Sequence, residues 1–184
     1  MTKPAAQKDQ LIATLATCFR RHGYEGASLS RITEATGLGR GSLYHAFPGG
    51  KDEMLRAVLT EIDQWFEHQI FQPLLTPSDD PKSALSAMFF SVDRYFQSGQ
   101  TLCLMGVLAL SDMDDPFRAA IRSYFQRWLA ALVATLSPLT PSPFEMAQQV
   151  LSGIQGAILL GRALDDPSIF PKELSRLKRM CGLI

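Results

Sequence analysis

Residues 28–47 read Ser-Leu-Ser-Arg-Ile-Thr-Glu-Ala-Thr-Gly-Leu-Gly-Arg-Gly-Ser-Leu-Tyr-His-Ala-Phe, and they carry the clearest pattern in the chain. Apolar residues recur at helical spacing on both sides of Gly37-Leu38-Gly39. They are Leu29, Ile32 and Ala35 before the glycines, and Leu43 and Phe47 after them. Ser28 stands where the N-cap of the first helix is expected. Two short helices joined by a glycine-containing turn predict a helix-turn-helix.

The second helix of this motif is predicted to present a polar face to solvent, because its two apolar residues are buried. The outward residues are Arg40, Gly41, Ser42, Tyr44 and His45. The N–H groups at the helix start favour anions, and the missing side chain of Gly41 allows a close approach to DNA. An arginine pairs with guanine or binds a phosphate, and Tyr44 and His45 carry donors for phosphate oxygens. We therefore predict that this face enters a major groove, with Lys51 of the next helix adding a phosphate contact.

Charge is distributed unevenly along the chain, although its 184 residues have a formal net charge of zero. Residues 1–56 contain eight Lys or Arg and five Asp or Glu, an excess of +3 that leaves −3 for the remainder. Coulomb attraction steers a cationic segment towards phosphates while an acidic segment is repelled. The charge pattern therefore favours DNA binding by the N-terminal part.

Apolar residues keep a helical period along nearly the whole chain, with no strand alternation and no internal repeat. We expect helices at about 6–22, 51–72, 82–98, 102–112, 116–136, 144–164 and 168–181, besides the two short helices within 28–47. The first should stop at Gly23, and the long fourth helix should end before Pro73. Residues 76–81 are predicted to form a loop. The predicted fold is all-α with about nine helices.

The composition, 46% hydrophobic and 20% charged, is typical of a globular protein and argues against disorder. Three widely separated cysteines, Cys18, Cys103 and Cys181, favour a reducing compartment over a disulfide framework. The first residues do not resemble a signal peptide, and no run of about 18 apolar residues occurs. We expect a cytoplasmic protein without a membrane partner.

The N-terminal third resembles the TetR family of bacterial transcriptional regulators. The matching segments are Phe19-Arg-Arg-His-Gly-Tyr-Glu-Gly, Ser28-Leu, Ile32-Thr, Ala35-Thr-Gly-Leu, Gly41-Ser-Leu-Tyr-His-Ala-Phe and Lys51-Asp-Glu-Met-Leu. Within the family, the stretch from Gly39 to Lys51 resembles the subgroup motif GRGSLYHxFPGGK of multidrug and flavonoid-type resistance regulators. Ala46 departs from that subgroup, which often has a second histidine there.

This resemblance implies a homodimer whose N-terminal heads bind a near-palindromic operator, and a C-terminal part that binds a small molecule and releases the DNA. Residues 1–50 would be the DNA-binding domain and 51–184 the ligand-binding and dimerisation domain, linked by the helix at about 51–72. Positions matching the family motif imply DNA contacts from Ser28 and Thr33 on the supporting helix. They also place Arg40, Gly41 and Ser42 at the tip of the recognition helix, and Tyr44, His45 and Lys51 on phosphates. No cofactor is implied.

The remaining helices are rich in bulky apolar residues, which ordinarily form a core. The resemblance points to a ligand cavity among them, with a few polar groups to orient the ligand. The predicted ligand-binding residues are Trp65, Phe66, Phe89, Phe96, Cys103, Met105, Phe125, Trp128 and Gln155.

A stripe of mostly small residues marks the penultimate helix. It consists of Gly153, Ala157, Gly161 and Leu164. Small side chains let helices approach closely, either inside one chain or across a dimer. We predict a dimer built as a four-helix bundle from the last two helices.

Of the possible functions, catalysis is the one that the sequence supports least. His22, His45 and His68 have no metal-ligand spacing with each other or with the cysteines. No nucleophile, base and orienting group occur in a known arrangement. We therefore predict neither a metal site nor catalysis; a small-molecule-binding protein with a vestigial DNA-binding head is the alternative.

Overall fold

The computed structural model describes residues 3–76 and 80–184. These residues form nine helices and no strand, which confirms the all-α prediction. The helices are α1 (Lys3–Gly26), α2 (Leu29–Thr36), α3 (Arg40–Ala46), α4 (Gly50–Phe66, continued by Glu67–Phe71 and Gln72–Leu75), α5 (Pro81–Tyr95), α6 (Leu104–Ala109), α7 (Asp115–Leu136), α8 (Pro143–Ala163) and α9 (Ile169–Met180). Of the loop predicted at 76–81, residues 77–79 lie outside the described part of the chain.

The described chain forms two compact units. The head unit comprises Met1–Gln64 and Leu104–Ile121, and the core unit comprises Trp65–Cys103 and Arg122–Ile184. The units thus do not coincide with a cut after residue 50. The assignment of DNA binding to 1–50 and of ligand binding and dimerisation to 51–184 is a functional prediction.

In the head unit, α1 packs against α2 and α6, and α2 packs against α3. The side chains at the centre are fully or almost fully buried: Leu15, Phe19, Ile32, Leu43 and Phe47. Removal of these apolar surfaces from water is the main force that holds such short helices in place. Leu43 and Phe47 are therefore core residues, as the spacing predicts.

Gly23 bends α1 where the sequence predicts a stop. Its φ of 66° and ψ of −177° are not helical, and a further helical turn follows up to Gly26. A positive φ is accessible to glycine at little cost because it has no Cβ. The helix therefore turns sharply at this point, and the turn places Tyr24 at the end of α1.

Helix α4 continues through Pro73 to Leu75, so the prediction that it ends before Pro73 is wrong. Residues Glu67–Phe71 form a π-helical turn, and the N–H of Gln72 accordingly donates to the carbonyl of Glu67. In a regular α-helix the ring of a proline clashes with the carbonyl four residues earlier. The wider turn ahead of Pro73 relieves this clash, so the chain remains helical.

Aromatic rings fill the centre of the core unit around Phe66. Its ring centroid lies between 4.8 and 6.4 Å from those of Trp65, Phe71, Tyr95, Phe96, Tyr124 and Trp128. We call this set the aromatic cluster. Most of the pairs are tilted or edge-to-face, the arrangements that ring quadrupoles favour.

A buried hydrogen bond joins two helices of the core unit. The single hydroxyl hydrogen of Thr135 is shared between two carbonyl oxygens, that of Leu74 at 2.8 Å from Oγ1 and that of Ala131 at 2.9 Å. It therefore ties α7 to the last turn of α4.

Across residues 3–76 and 80–184, no helix combines the length and the apolar character that crossing a bilayer requires.

Candidate nucleic-acid interface

Two local devices fix the ends of α2. The hydroxyl of Ser28 accepts a hydrogen bond from the N–H of Arg31, so Ser28 is the N-cap that the sequence predicts. At the other end Gly37 has a φ of 68° and its N–H donates to the carbonyl of Thr33. Only glycine adopts this left-handed cap without strain. The chain therefore turns at a defined point between α2 and α3.

Thr36 holds the turn itself. Its hydroxyl donates to the carbonyl of Ile32 at 2.7 Å and accepts from the N–H of Leu38 at 3.3 Å. Gly39 then has an extended backbone and stands as the N-cap of α3 without a side-chain hydrogen bond. The first N–H groups of α3 thus stay open to an outside acceptor.

The predicted outward face of α3 is exposed along its whole length. Its residues Arg40, Gly41, Ser42, Tyr44 and His45 are all exposed, and the Tyr44 side chain retains 48% of its accessible surface. A Cβ built on Gly41 meets no atom within 4 Å, so the surface there is open. The five residues therefore form one surface of donors and cations, which we call the α3 face.

Ser28 and Thr33 differ in what their hydroxyls can offer to a phosphate. Ser28 is exposed and its oxygen accepts from Arg31, so its own hydrogen can still be donated. Thr33 is half-buried and donates its single hydroxyl hydrogen to the carbonyl of Ser30 at 2.7 Å. Because phosphate oxygens only accept, Thr33 would have to give up this bond to reach one.

Lys51 is half-buried and already bound within the head unit. Its Nζ donates to the carbonyl of Tyr24 at 3.1 Å and lies 4.0 Å from the centroid of the Tyr24 ring. The Tyr24 hydroxyl donates a short hydrogen bond to the Asp52 carboxylate. Burial, and then this bond, raise the pKa of Tyr24 well above its usual range. The sequence pattern did not assign roles to Tyr24 and Asp52, which lie far apart along the chain.

The predicted ligand-binding residues are mostly packed in the core unit. Phe66, Phe89, Phe96 and Trp128 have no exposed surface, whereas Trp65, Phe125 and Gln155 are half-buried. The structure brings Trp65, Phe66, Phe96 and Trp128 together in the aromatic cluster. Cys103 is the last residue of its segment of the core unit, and Met105 belongs to the head unit.

Two of these residues carry buried donors without a partner. Trp128 Nε1 and Gln155 Nε2 are inaccessible and make no hydrogen bond within the part of the chain that the structure describes. A buried polar hydrogen without an acceptor is unfavourable by about 1–3 kcal/mol. Such donors are therefore suited to a ligand that brings an acceptor.

The three cysteines are buried and form no disulfide. Burial raises the pKa of the thiols of Cys18 and Cys181, which disfavours their reactive thiolate form. In the described ranges, no three His, Cys, Asp or Glu side chains come together as metal ligands.

The small residues of the predicted dimer stripe have neighbours within their own chain. A Cβ on Gly153 would lie 2.7 Å from the Glu173 carboxylate and 3.1 Å from Leu177, both on α9. Ala157 is buried, and a Cβ on Gly161 would lie 3.3 Å from the carbonyl of Asp166. Neighbours within the chain, on α9 for Gly153 and in the connection before α9 for Gly161, therefore account for the two glycines, whereas Leu164 is exposed.

Another face of α8 is apolar and exposed. Leu159, Leu160 and Leu164 retain 61%, 51% and 67% of their surface, and a Cβ on Gly156 would meet nothing within 4 Å. We call these four residues the α8 face. The small-residue stripe did not include Gly156, Leu159 and Leu160. Three successive apolar residues, Ile158 to Leu160, are nevertheless typical of a helix that is apolar on more than one side.

Comparison with known proteins agrees with this geometry. Residues 11–58 match the family "Bacterial regulatory proteins, tetR family". The uncharacterized HTH-type transcriptional regulator YxaF of Bacillus subtilis is 26% identical over 167 residues, which cover 87% of each chain. The HTH-type transcriptional repressor AcnR of Corynebacterium efficiens is 39% identical over 59 residues, covering 32% of this chain and 31% of AcnR. Residues 11–58 are thus similar to the TetR family, and both relatives are named as HTH-type transcriptional regulators or repressors.

A solved structure shows the same fold along nearly the full chain. The TetR-family regulator CifR, solved as a cysteine mutant with 26-bp double-strand operator DNA, is similar with a TM-score of 0.73. The match covers 95% of each chain at 19% identity. The fold described above is thus similar to that of CifR.

Proposed function

We propose that this protein is a ligand-responsive repressor that binds a near-palindromic operator as a homodimer. In the proposed mechanism a small apolar or aromatic effector binds the core unit and releases the DNA. The observation that carries the DNA-binding part is the α3 face: five exposed residues of donor, cationic or minimal side chains on a helix whose other side is buried. The proposed subgroup is that of the multidrug and flavonoid-type resistance regulators. We propose binding without a cofactor or catalysis, in the cytoplasm.

The α3 face has the dimensions and chemistry of a major-groove reader. An α-helix fits the major groove, and its first residues then reach the base edges. Arg40 is placed at this first turn, where a bidentate pair with guanine specifies a base. In a symmetric dimer the two α3 helices enter successive grooves, so half-sites are expected about one helical turn apart.

The decisive experiment is selection of duplexes from a random-sequence library by the purified protein. We expect enrichment of a near-palindrome by the wild type and loss of that enrichment with Tyr44→Ala. Phe90→Ala is the matched control, because Phe90 is an aromatic residue of the core unit with 60% exposure, comparable with that of Tyr44. No enrichment by the folded wild type at any salt concentration would favour a small-molecule-binding protein with a vestigial head.

Arg40 and Lys51 are expected to contribute differently to operator binding. Arg40→Ala should remove about 1–3 kcal/mol of discrimination at one base pair of each half-site. Lys51→Ala should weaken binding to all duplexes alike and lower the slope of log K against log salt by about one. Arg122→Ala, an exposed arginine of the core unit, serves as control. Equal loss on all sequences with Arg40→Ala would contradict the assigned role of Arg40.

The buried donors of Trp128 and Gln155 suggest what the effector carries. Among aromatic compounds matched in shape, those with a carbonyl oxygen should bind more tightly than the hydrocarbons, because the oxygen accepts from a donor that is otherwise unpaired. Thermal shifts with matched ketone and hydrocarbon pairs test this. The preference should disappear in Trp128→Phe and persist in Trp65→Phe, and its persistence in both variants would exclude Trp128.

We place the dimer contact on the α8 face rather than on the small-residue stripe, with Leu164 shared by both. An exposed apolar face of this kind is typical of a protein–protein contact. Leu160→Glu should therefore produce a monomer in analytical ultracentrifugation, because it would bury a charge in the contact. Leu110→Glu is the control, since Leu110 is even more exposed and lies in the head unit.

A further inference from the structure

Tyr24 holds the ammonium group of Lys51 at two points. Its carbonyl accepts from Lys51 Nζ at 3.1 Å, and the centroid of its ring lies 4.0 Å from the same atom. An ammonium at this distance from a ring is attracted by the negative face of the π system. The kink at Gly23, with a φ of 66°, is where the chain departs from regular helix to bring Tyr24 to this place. A side chain with four rotatable bonds is thereby held near one position.

The Tyr24 ring is itself fixed on several sides. Its hydroxyl donates to the carboxylate of Asp52, the residue after Lys51. The ring of Phe19 is stacked on it at 6.4 Å with an interplanar angle of 14°, and the ring of Phe117 lies 6.0 Å away. Phe19 and Phe117 are buried. The platform under Lys51 is thus anchored in the core of the head unit.

We propose that Tyr24 is a positioning residue for DNA binding, which pre-organises Lys51 for a phosphate of the operator. The inference rests on the proposed function, because it concerns the same interface. An ammonium has three donors, and the Tyr24 carbonyl takes one, which leaves two for phosphate oxygens. A lysine that is already ordered loses less side-chain entropy when it binds, so the contact contributes more to affinity.

A purely structural role for Tyr24 has a different signature. In that case its replacement would lower the stability of the head and weaken DNA binding to the same degree whether or not Lys51 is present. A positioning role instead makes the effects of Tyr24 and Lys51 on affinity strongly non-additive. The two roles are therefore separated by a double-mutant cycle.

The experiment measures the affinity of the full-length protein for its selected operator duplex over a range of salt concentrations. The variants are Tyr24→Leu, Lys51→Ala and the double variant, each assayed at a temperature where circular dichroism shows it folded. We expect Tyr24→Leu to weaken binding about fivefold and to lower the salt slope, and to have almost no further effect in Lys51→Ala. Lys8→Ala, an exposed lysine on α1, is the control and should be additive with Tyr24→Leu.

Tyr24→Phe covers the case in which the leucine variant does not fold, because it keeps the ring between Phe19 and Phe117 and removes only the bond to Asp52. It should retain the ring-current shift of the Lys51 ε-methylene protons in NMR spectra and weaken binding less than Tyr24→Leu. The positioning role would be overturned if the Lys51 protons of the wild type showed no ring-current shift. It would also be overturned if Tyr24→Leu reduced operator affinity equally with and without Lys51. A folded wild type that binds no duplex would instead overturn the proposed function.

Discussion

The α3 face of the head unit and the aromatic cluster of the core unit use aromatic side chains in opposite ways. Tyr44 of the α3 face has about half of its surface in solvent, whereas Phe66 has none and lies at the centre of the aromatic cluster. On the α3 face, the exposed residues proposed to act are distinct from the buried Leu43 that holds the helix in place. In the core unit, the residues proposed to bind the effector also hold the fold. Function and stability should therefore be separable on the α3 face and coupled in the core unit.

The largest change in stability is predicted for Phe66→Ala, and its comparison with Tyr44→Ala tests this separation. Phe66→Ala should lower the free energy of unfolding by about 3–5 kcal/mol, because it leaves a cavity inside the aromatic cluster. Tyr44→Ala, at an exposed position, should change it by less than about 0.5 kcal/mol and still abolish operator selection. Urea denaturation of both variants provides the measurement. Similar stabilities for the two variants would contradict this separation of function from stability.

A medium-sized effect is expected at Thr135, the buried threonine that joins α7 to α4 through the Leu74 carbonyl. Thr135→Val keeps the shape of the side chain but leaves that carbonyl without its donor, which should lower stability by about 1–3 kcal/mol. Thr60→Val is the matched control, because the exposed Thr60 hydroxyl donates only to the carbonyl one turn earlier. Equal effects at both positions would show that burial of the bond does not matter.

The smallest changes in stability are expected at the N-caps of α2 and α3. Ser28→Ala removes the N-cap of α2 and should cost about 1 kcal/mol of stability. Gly39→Ser would give α3 the side-chain cap that it lacks, with a gain of a few tenths of a kcal/mol, because a side chain at Gly39 meets no atom within 4 Å. In thermal unfolding, Ser28→Ala should therefore melt below the wild type and Gly39→Ser slightly above it. A Gly39→Ser variant less stable than the wild type would show that the added hydroxyl does not cap α3.

Short-range patterns made the head predictable. The Ser28 cap, the left-handed Gly37 and the buried pair Leu43 and Phe47 all follow from residues within one or two helical turns of each other. The same local rule failed at Pro73, because a proline ordinarily ends a helix and only the π-helical turn before it allows continuation. Leu74, the residue after the proline, is buried and its carbonyl accepts from Thr135, contacts that the local pattern does not contain.

Long-range pairings were beyond sequence reasoning. The stripe of Gly153 and Gly161 predicted a close neighbour, and periodicity alone did not say that the neighbours are Glu173, Leu177 and the carbonyl of Asp166. The Tyr24–Asp52 bond likewise joins residues that only the tertiary fold brings together. Which side of a helix faces its own chain depends on contacts that no local pattern contains.

Because its three thiols are buried, the native chain should react only slowly with thiol-labelling reagents. Maleimides react with thiolates, and the sulfur atoms of Cys18, Cys103 and Cys181 are shielded by the fold. A cysteine introduced at the exposed Ser42 should therefore react well ahead of all three native ones. A single fluorophore can then be attached to the α3 face of an otherwise native chain, where it would report the arrival and departure of DNA in real time.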